Sequence, residues 1–313
     1  MSSLRDRYSF TGAEGVASAR RTLRAGISCV GRGLHSGVDV ALKLLPAAAG
    51  TGIVFYRTDL DVSIPAKFDL VNDTRLCTVV SHGDARVGTI EHLMAALSAS
   101  QVDDVRIEVD APELPVFDGS ASPFLFLIES AGIVEHGGLR ESLEILRTVR
   151  VAHQGAFAEL RPQHAGGSGL DLSLAIEFAA PAIGAQAFSF SLTQEGFAAE
   201  LATARTFTMA SEIEALRKAG LAKGGSLANA IVVDGAKVVN PEGLRFADEF
   251  VRHKLLDVIG DLALAGAPIS GRFVGNKTGH ALNNQLLRAV FSDQANYRLT
   301  RGSVAGVLQL SAA

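Results

Sequence analysis

His253 and Asp257 stand four residues apart in the run Val251-Arg252-His253-Lys254-Leu255-Leu256-Asp257-Val258-Ile259-Gly260-Asp261. In a helix they project from one face, one turn above the other, and Asp261 continues the stripe. An imidazole and a carboxylate so placed can grip one metal ion, and a third ligand from elsewhere would leave a position open for water. Val251, Leu255, Ile259 and Leu262 form a separate apolar stripe, roughly 200° away at about 100° per residue. Taken alone, the run describes a surface helix with one buried face and one solvated polar face. Any chemistry depends on partners elsewhere.

Three further segments carry chemistry-bearing side chains. Thr89-Ile90-Glu91-His92-Leu93 opens a predicted helix with Thr89 as its cap. Glu91 then falls in the first turn, where the helix dipole favours an ionised carboxylate. His280 follows Gly279 at a loop-to-helix junction, which can aim a side chain into a cleft but is commonly wet. Ala204-Arg205-Thr206-Phe207-Thr208 reads as an edge strand.

The elements that must position these residues are mixed. Val38 to Leu44, Gly52 to Tyr56 and Val105 to Val109 alternate or are β-branched between turn formers, as strands do. Arg147 to Val151, Leu170 to Leu174 and Ala187 to Leu192 read likewise. Helices are expected over 89–99, 122–131, 210–219, 246–265 and 280–291, with Pro123 suited to a first turn. Gly137-Gly138 are expected to close a helix before a new strand pattern begins, which places a domain boundary there. The division is a tail over 1–19, a first α+β domain over 20–138, and a second over 139–313.

Composition narrows the classes. The 313 residues are 48% hydrophobic and 20% charged, enough for a sizeable core. A net charge of −4 argues against general nucleic-acid binding. No apolar run is long enough to span a bilayer, and Met1 to Arg24 lacks the apolar core of a secretory signal. Cys29 and Cys77 fit a reduced compartment, so a soluble cytoplasmic protein is expected. Gly271 to Thr278 only approaches a phosphate loop, and Gly31 to Gly37 is not a dinucleotide fingerprint. There is no Gly-x-Ser-x-Gly, His-Glu-x-x-His or Cys-x-x-Cys.

Taken in order, the segments are far more specific than any one of them. Ile90-Glu91-His92-Leu93, Phe117-Asp118-Gly119-Ser120-Ala121, Ala204-Arg205-Thr206-Phe207, Leu244-Arg245-Phe246 through Asp261, and Gly279-His280-Ala281-Leu282-Asn283-Asn284 succeed one another from about Arg21 to about Phe291. The chain resembles the UDP-3-O-acyl-N-acetylglucosamine deacetylases of Gram-negative bacteria, zinc amidases that commit carbon to lipid A. The resemblance implies two similar α+β domains, each a β-sheet packed with helices, facing each other across the active site and carrying small inserts.

Position by position, the resemblance makes His92, His253 and Asp257 the metal ligands. It makes Glu91 the general base, His280 the general acid and Thr206 the oxyanion donor, with Lys254 and Asp261 close by. Asp261 would orient His280. Zinc is expected, and a His/carboxylate set also suits ferrous iron. Amide hydrolysis needs this inventory, since a base must take a proton from water and an amine leaves badly unless protonated. The substrate's acyl chain needs an apolar passage, which the resemblance assigns to an insert at about 206–233. Phe207, Ile213, Gly225, Ser226 and Val232 would line it, with Leu216 and Ala222, and Gly224-Gly225 would let backbone approach closely. Without the resemblance, this βαβ-like piece reads as burying its apolar face in the core. Thr208-Met209 and Arg75 depart from the family pattern, Arg75 standing where an apolar residue is expected at the mouth of the site.

The expected partner is the UDP-linked acylated glucosamine, with no nucleic acid, a monomeric state and room for transient contact with the inner membrane surface. Two rivals stand beside this reading. One is a metal-independent hydroxyacyl-thioester dehydratase; the other is an inactive sugar-nucleotide or lipid-binding relative.

Overall fold

A computed structural model describes residues 19–301. The tail expected over 1–19 lies outside the described residues except for Ala19, which begins the strand Ala19–Leu23. Among the described residues the architecture is α+β, with two main sheets and six α-helices.

Strands form where apolar residues alternate, as in Asp39–Pro46 and Leu170–Glu177, whose inward residues are buried and whose outward ones are not. The first main sheet has five strands in the order Ile27–Arg32, Asp39–Pro46, Val105–Val109, Ile53–Arg57 and Val62–Pro65. All neighbours are antiparallel except Ile53–Arg57 with Val105–Val109. The second has seven strands around Ile269–Asn276, which pairs antiparallel with Ala156–Arg161 and parallel with Leu170–Glu177 and Glu141–Ile145.

Two small three-stranded sheets stand apart from these. One joins Val71–Asp73, Val79–His82 and Ala85–Val87. The other joins Phe207–Met209, Ile231–Asp234 and Lys237–Val238. Phe207–Met209 runs parallel to Ile231–Asp234, with the helix Ala210–Lys218 between them in sequence. The βαβ-like insert is therefore present. Its helix has no buried residue, whereas Ile231 and Val233 of its strand are buried in the core, so the piece buries its apolar face through its strands alone.

The helices are α1 (Glu91–Ala99), α2 (Ser122–Ala131), α3 (Gln194–Glu200), α4 (Ala210–Lys218), α5 (Glu249–Ala263) and α6 (His280–Phe291). The expected closure of a helix at Gly137-Gly138 is not what forms. α2 ends at Gly132, whose φ of 70° supplies the left-handed turn, and the strand Ile133–Leu139 runs through both later glycines to pair with Ala19–Leu23.

α1 and α5 pack against each other at the centre, and α6 packs on α5. Eight of the nine residues of α1 and twelve of the fifteen of α5 are buried, so neither helix has a broad solvated face. The polar stripe of α5 is covered by protein instead of water. Leu93, Leu97, Leu255 and Ile259 are at most 1% exposed, each worth roughly 1.5–3 kcal/mol on burial. That apolar packing offsets the cost of holding several ionisable groups between the helices.

Candidate active site

α1 presents Glu91 and His92, α5 presents His253, Asp257 and Asp261, and α6 presents His280 from its first position. All six are buried. The wet environments that the sequence suggested for the α5 stripe and for His280 are therefore replaced by protein. The approach to α1 also differs from expectation. Thr89 does not cap the helix; Ile90 occupies that position without a side-chain bond, and Thr89 sits at φ 55°. A β-branched residue in this left-handed region is strained, at a cost of about 1–3 kcal/mol. Phe117, which opens the segment Phe117 to Ala121, and Lys277, two residues before Gly279, share that conformation.

One ligand atom from each of His92, His253 and Asp257 lies within 4.8 Å of the others. Asp257 Oδ1 is 3.4 Å from His253 Nε2 and 3.6 Å from His92 Nε2. Donors held at zinc-ligand distances on a tetrahedron stand about 3.4 Å apart, so these three fit a single ion. Their protonation fits as well. Burial pushes His253 down to about 4, which keeps the ring neutral. Its Nδ1–H donates to the carbonyl of Ala204 at 3.0 Å, leaving the Nε2 lone pair facing Asp257. Burial would raise Asp257, but neighbouring positive charge, the Lys254 ammonium foremost, outweighs it and holds the carboxyl well below its usual range. Lys254 Nζ donates to Asp257 Oδ2 at 2.8 Å, leaving Oδ1 toward the histidines.

The remaining groups lie beside this triad. Glu91 Oε2 accepts the amide N–H of Thr78 at 3.0 Å, while Oε1 lies 4.0 Å from His280 Nε2. Burial raises the Glu91 pKa above its ordinary value, against the lowering that the helix dipole alone suggested. His280 Nδ1 donates to Asp261 Oδ2 at 2.8 Å. Burial would lower the imidazole, but the facing Asp261 carboxylate and its hydrogen bond prevail, raising it to about 9. Asp261 is fully engaged, since it also accepts from the Thr78 hydroxyl at 2.5 Å and from Asn283 Nδ2 at 2.8 Å.

A cavity of about 190 Å³ is lined by Glu91, His92, Thr206, Phe207, His253, Lys254, Asp257 and His280 among others. Thr206 is held there by its own N–H to Gly119 O at 2.8 Å and by Ile231 N–H to its carbonyl at 2.8 Å. Of the expected passage residues, only Phe207 reaches this cavity; Ile213, Gly225, Ser226 and Val232 lie in the insert but do not line it. Arg75 does not line this cavity; with Leu76 it lines an adjoining one of about 350 Å³, where it is paired to Asp73.

Sequence reasoning missed Thr78, which touches both Glu91 and Asp261, and the buried pair Arg205–Glu249. Thr78 carries no local signal. Arg205 lies inside a segment singled out for Thr206, yet its role is visible only once Glu249 faces it.

The family model described as LpxC, UDP-3-O-acyl N-acetylglycosamine deacetylase, matches residues 20–292. The chain belongs to this deacetylase family. A UDP-3-O-acyl-N-acetylglucosamine deacetylase of Anaeromyxobacter sp. (strain Fw109-5) is 47% identical over 282 residues, covering 90% of this chain and 91% of the relative. The protein of the same name from Myxococcus xanthus (strain DK1622) is 48% identical over 90% of this chain and 88% of its own length. One from Neisseria meningitidis serogroup C / serotype 2a (strain ATCC 700532 / DSM 15464 / FAM18) is 47% identical over 89% and 92% respectively. Membership in the deacetylase family does not favour the thioester dehydratase or the inactive binder. Among the described residues no helix is long and apolar enough to cross a membrane.

Proposed function

We propose that the chain is a zinc-dependent amidohydrolase that removes the N-acetyl group from UDP-3-O-(3-hydroxyacyl)-N-acetylglucosamine. The products are acetate and the free 2-amine, the committed step of lipid A biosynthesis. The observation that carries this reading is the convergence, around one cavity, of the His92–His253–Asp257 triad with Glu91, His280 and Thr206. Held by those three ligands, zinc (or ferrous iron, which suits the same donors) would supply Lewis acidity at the amide carbonyl and lower the pKa of water.

The rest of the chemistry belongs to the chain's own groups. Hydrolysis makes a C–O bond from water to the acetyl carbon and breaks the C–N bond, so a proton must leave the water and another must reach the amine. Glu91 takes the first. The Thr78 N–H fixes one of its oxygens, the other is open to the cavity, and burial makes it a stronger base than a solvated carboxylate. The Thr206 hydroxyl donates to the oxygen that gains charge in the tetrahedral intermediate. His280, kept as imidazolium by Asp261, donates from Nε2 to the departing nitrogen. Lys254 holds Asp257 in place.

Phe207, Ile213, Gly225, Ser226 and Val232 are assigned to the acyl passage, on the support of their common place in the insert. We assign the reaction to the cytoplasm, where the acyl chain gives reason for transient contact with the inner membrane surface. Metal analysis paired with a deacetylation assay on the UDP-linked substrate tests the reading. One equivalent of metal, and turnover lost on chelation and restored by zinc, are expected; turnover that survives complete metal removal would overturn it.

A further inference from the structure

One buried acid near the site takes no part in this chemistry. Glu113 is 5% exposed and accepts two consecutive amides of the turn over residues 33–37. Oε2 accepts the N–H of His35 at 3.0 Å, and Oε1 accepts that of Ser36 at 2.6 Å. The Thr89 hydroxyl, two residues before Glu91, lies 3.5 Å from Oε2. The fit is close enough that a Cβ on Gly33 would stand 2.1 Å from Oε1.

The opposite side of the same turn meets the insert. The carbonyl of Leu34 accepts from Gly224 N at 3.0 Å, and that of His35 from Lys223 N at 3.3 Å. A Cβ on Gly224 would lie 2.2 Å from the carbonyl oxygen of Gly33. The turn is therefore gripped through its amides by Glu113 and through its carbonyls by the insert.

This turn is also a wall of both cavities. Leu34 lines the one at the triad, Ser36 lines the adjoining one, and His35 lines both. Both ring nitrogens of His35 are buried without a hydrogen-bond partner among the described residues. The ring has no polar tether of its own, so its place depends on the backbone that Glu113 holds.

We propose that Glu113 is a positioning residue: it fixes residues 33–37 as the shared wall of the two cavities and so sets how tightly the sugar-nucleotide substrate is held. The inference rests on the deacetylase reading. A merely structural anchor would affect stability and leave substrate binding alone.

Glu113→Gln tests the difference, because it keeps the shape of the side chain while turning an NH₂ group toward a backbone N–H. Hydrogen exchange at the His35 and Ser36 amides should accelerate, and KM should rise about tenfold, the effect of one misdirected buried hydrogen bond. Turnover at saturation should stay within about twofold, since no group touching the reacting atoms changes. Metal content should not change. Gly224→Ala presses the same turn from the insert side and should raise KM in the same direction, which decides the matter if Glu113→Gln does not fold. An unchanged KM in both variants, beside a lowered Tm, would overturn the positioning role. Wild-type turnover is measured in parallel: its absence sinks the deacetylase reading, whereas normal wild-type turnover with unaltered variant KM values sinks this inference alone.

Discussion

Gly260 on α5 and Glu91 on α1 touch backbone to backbone: a Cβ on Gly260 would lie 2.0 Å from the carbonyl oxygen of Glu91 and 2.7 Å from its carbonyl carbon. Gly260 follows the proposed ligand Asp257 by three positions and precedes Asp261, while Glu91 precedes the proposed ligand His92. The helix crossing that brings His92 to His253 and Asp257 is thus set by a missing side chain. A glycine in a helix ordinarily costs up to about 1 kcal/mol against alanine, so its presence here reflects packing and not propensity.

Gly260→Ala should therefore destabilise despite improving helix propensity. The obstacle is backbone and cannot rotate away, so a loss of about 1–3 kcal/mol is expected, the range for overpacked cores. Metal affinity should fall with it, because α1 and α5 carry different ligands. Denaturant unfolding and chelator competition read the two effects; a variant as stable as wild type would mean the helices have slack at this crossing.

Glu91→Gln separates the base from its surroundings. The amide oxygen still accepts from Thr78, and the three ligands are untouched. Turnover should drop by about 10²–10⁴-fold with metal retained, the range for losing a general base. Stability should move the other way. Glu91 has a raised folded-state pKa, so its contribution is full below the ordinary value of 4.5 and is lost as pH climbs past the folded value. At neutral pH the metal-free Gln variant should be at least as stable as wild type. Near-normal turnover in this variant would remove Glu91 from the mechanism.

Much of this architecture is legible in the sequence. Ser122–Ala131, His280–Phe291 and Val105–Val109 appear with the bounds that periodicity and flanking turn formers suggest. The segments with the site residues stood out by their order along the chain. What periodicity cannot supply is the cover over a face. It places His253, Asp257 and Asp261 on one side of α5, but whether α1 or water lies opposite depends on contacts spanning half the sequence. Thr78 shows the same limit, since its hydroxyl meets Asp261 across 183 positions and no local pattern marks it. Thr89 does not cap α1 for a local reason: its backbone is left-handed, outside the extended conformation a capping residue adopts.

The pH dependence of turnover should be bell-shaped. On the acid side Glu91 must lose its proton, and burial moves that limb above 4.5. On the alkaline side His280 must keep its proton, and the value of about 9 places that limb well above neutrality. Asp261→Asn removes the carboxylate that raises His280, so the alkaline limb should shift down toward the ordinary 6.5. The folded-state value is raised, so the stability His280 contributes is full below 6.5 and is lost as pH rises through about 9. In the Asn variant that loss of stability should fade. An alkaline limb that stays in place would assign it to another group.

The pair Arg205–Glu249 joins stability to the metal site. Glu249 is fully buried and sits one turn before His253 on α5. Its carboxylate takes the backbone N–H of Arg205 at 3.0 Å, the guanidinium at 2.9 Å and the backbone N–H of Arg245 at 2.6 Å. Arg205 lies between Ala204, whose carbonyl orients His253, and Thr206, the proposed oxyanion donor. Glu249→Gln leaves the buried guanidinium without its main counter-charge and should cost about 3–5 kcal/mol. In the fraction that folds, metal affinity should weaken about 10–100-fold, as it does when a group orienting a ligand is lost. Chelator competition at low temperature, where the variant remains folded, separates the two effects. Wild-type metal affinity beside reduced stability would confine the pair to holding the fold, whereas a joint loss ties the Ala204 carbonyl, and through it the His253 ring, to this buried charge.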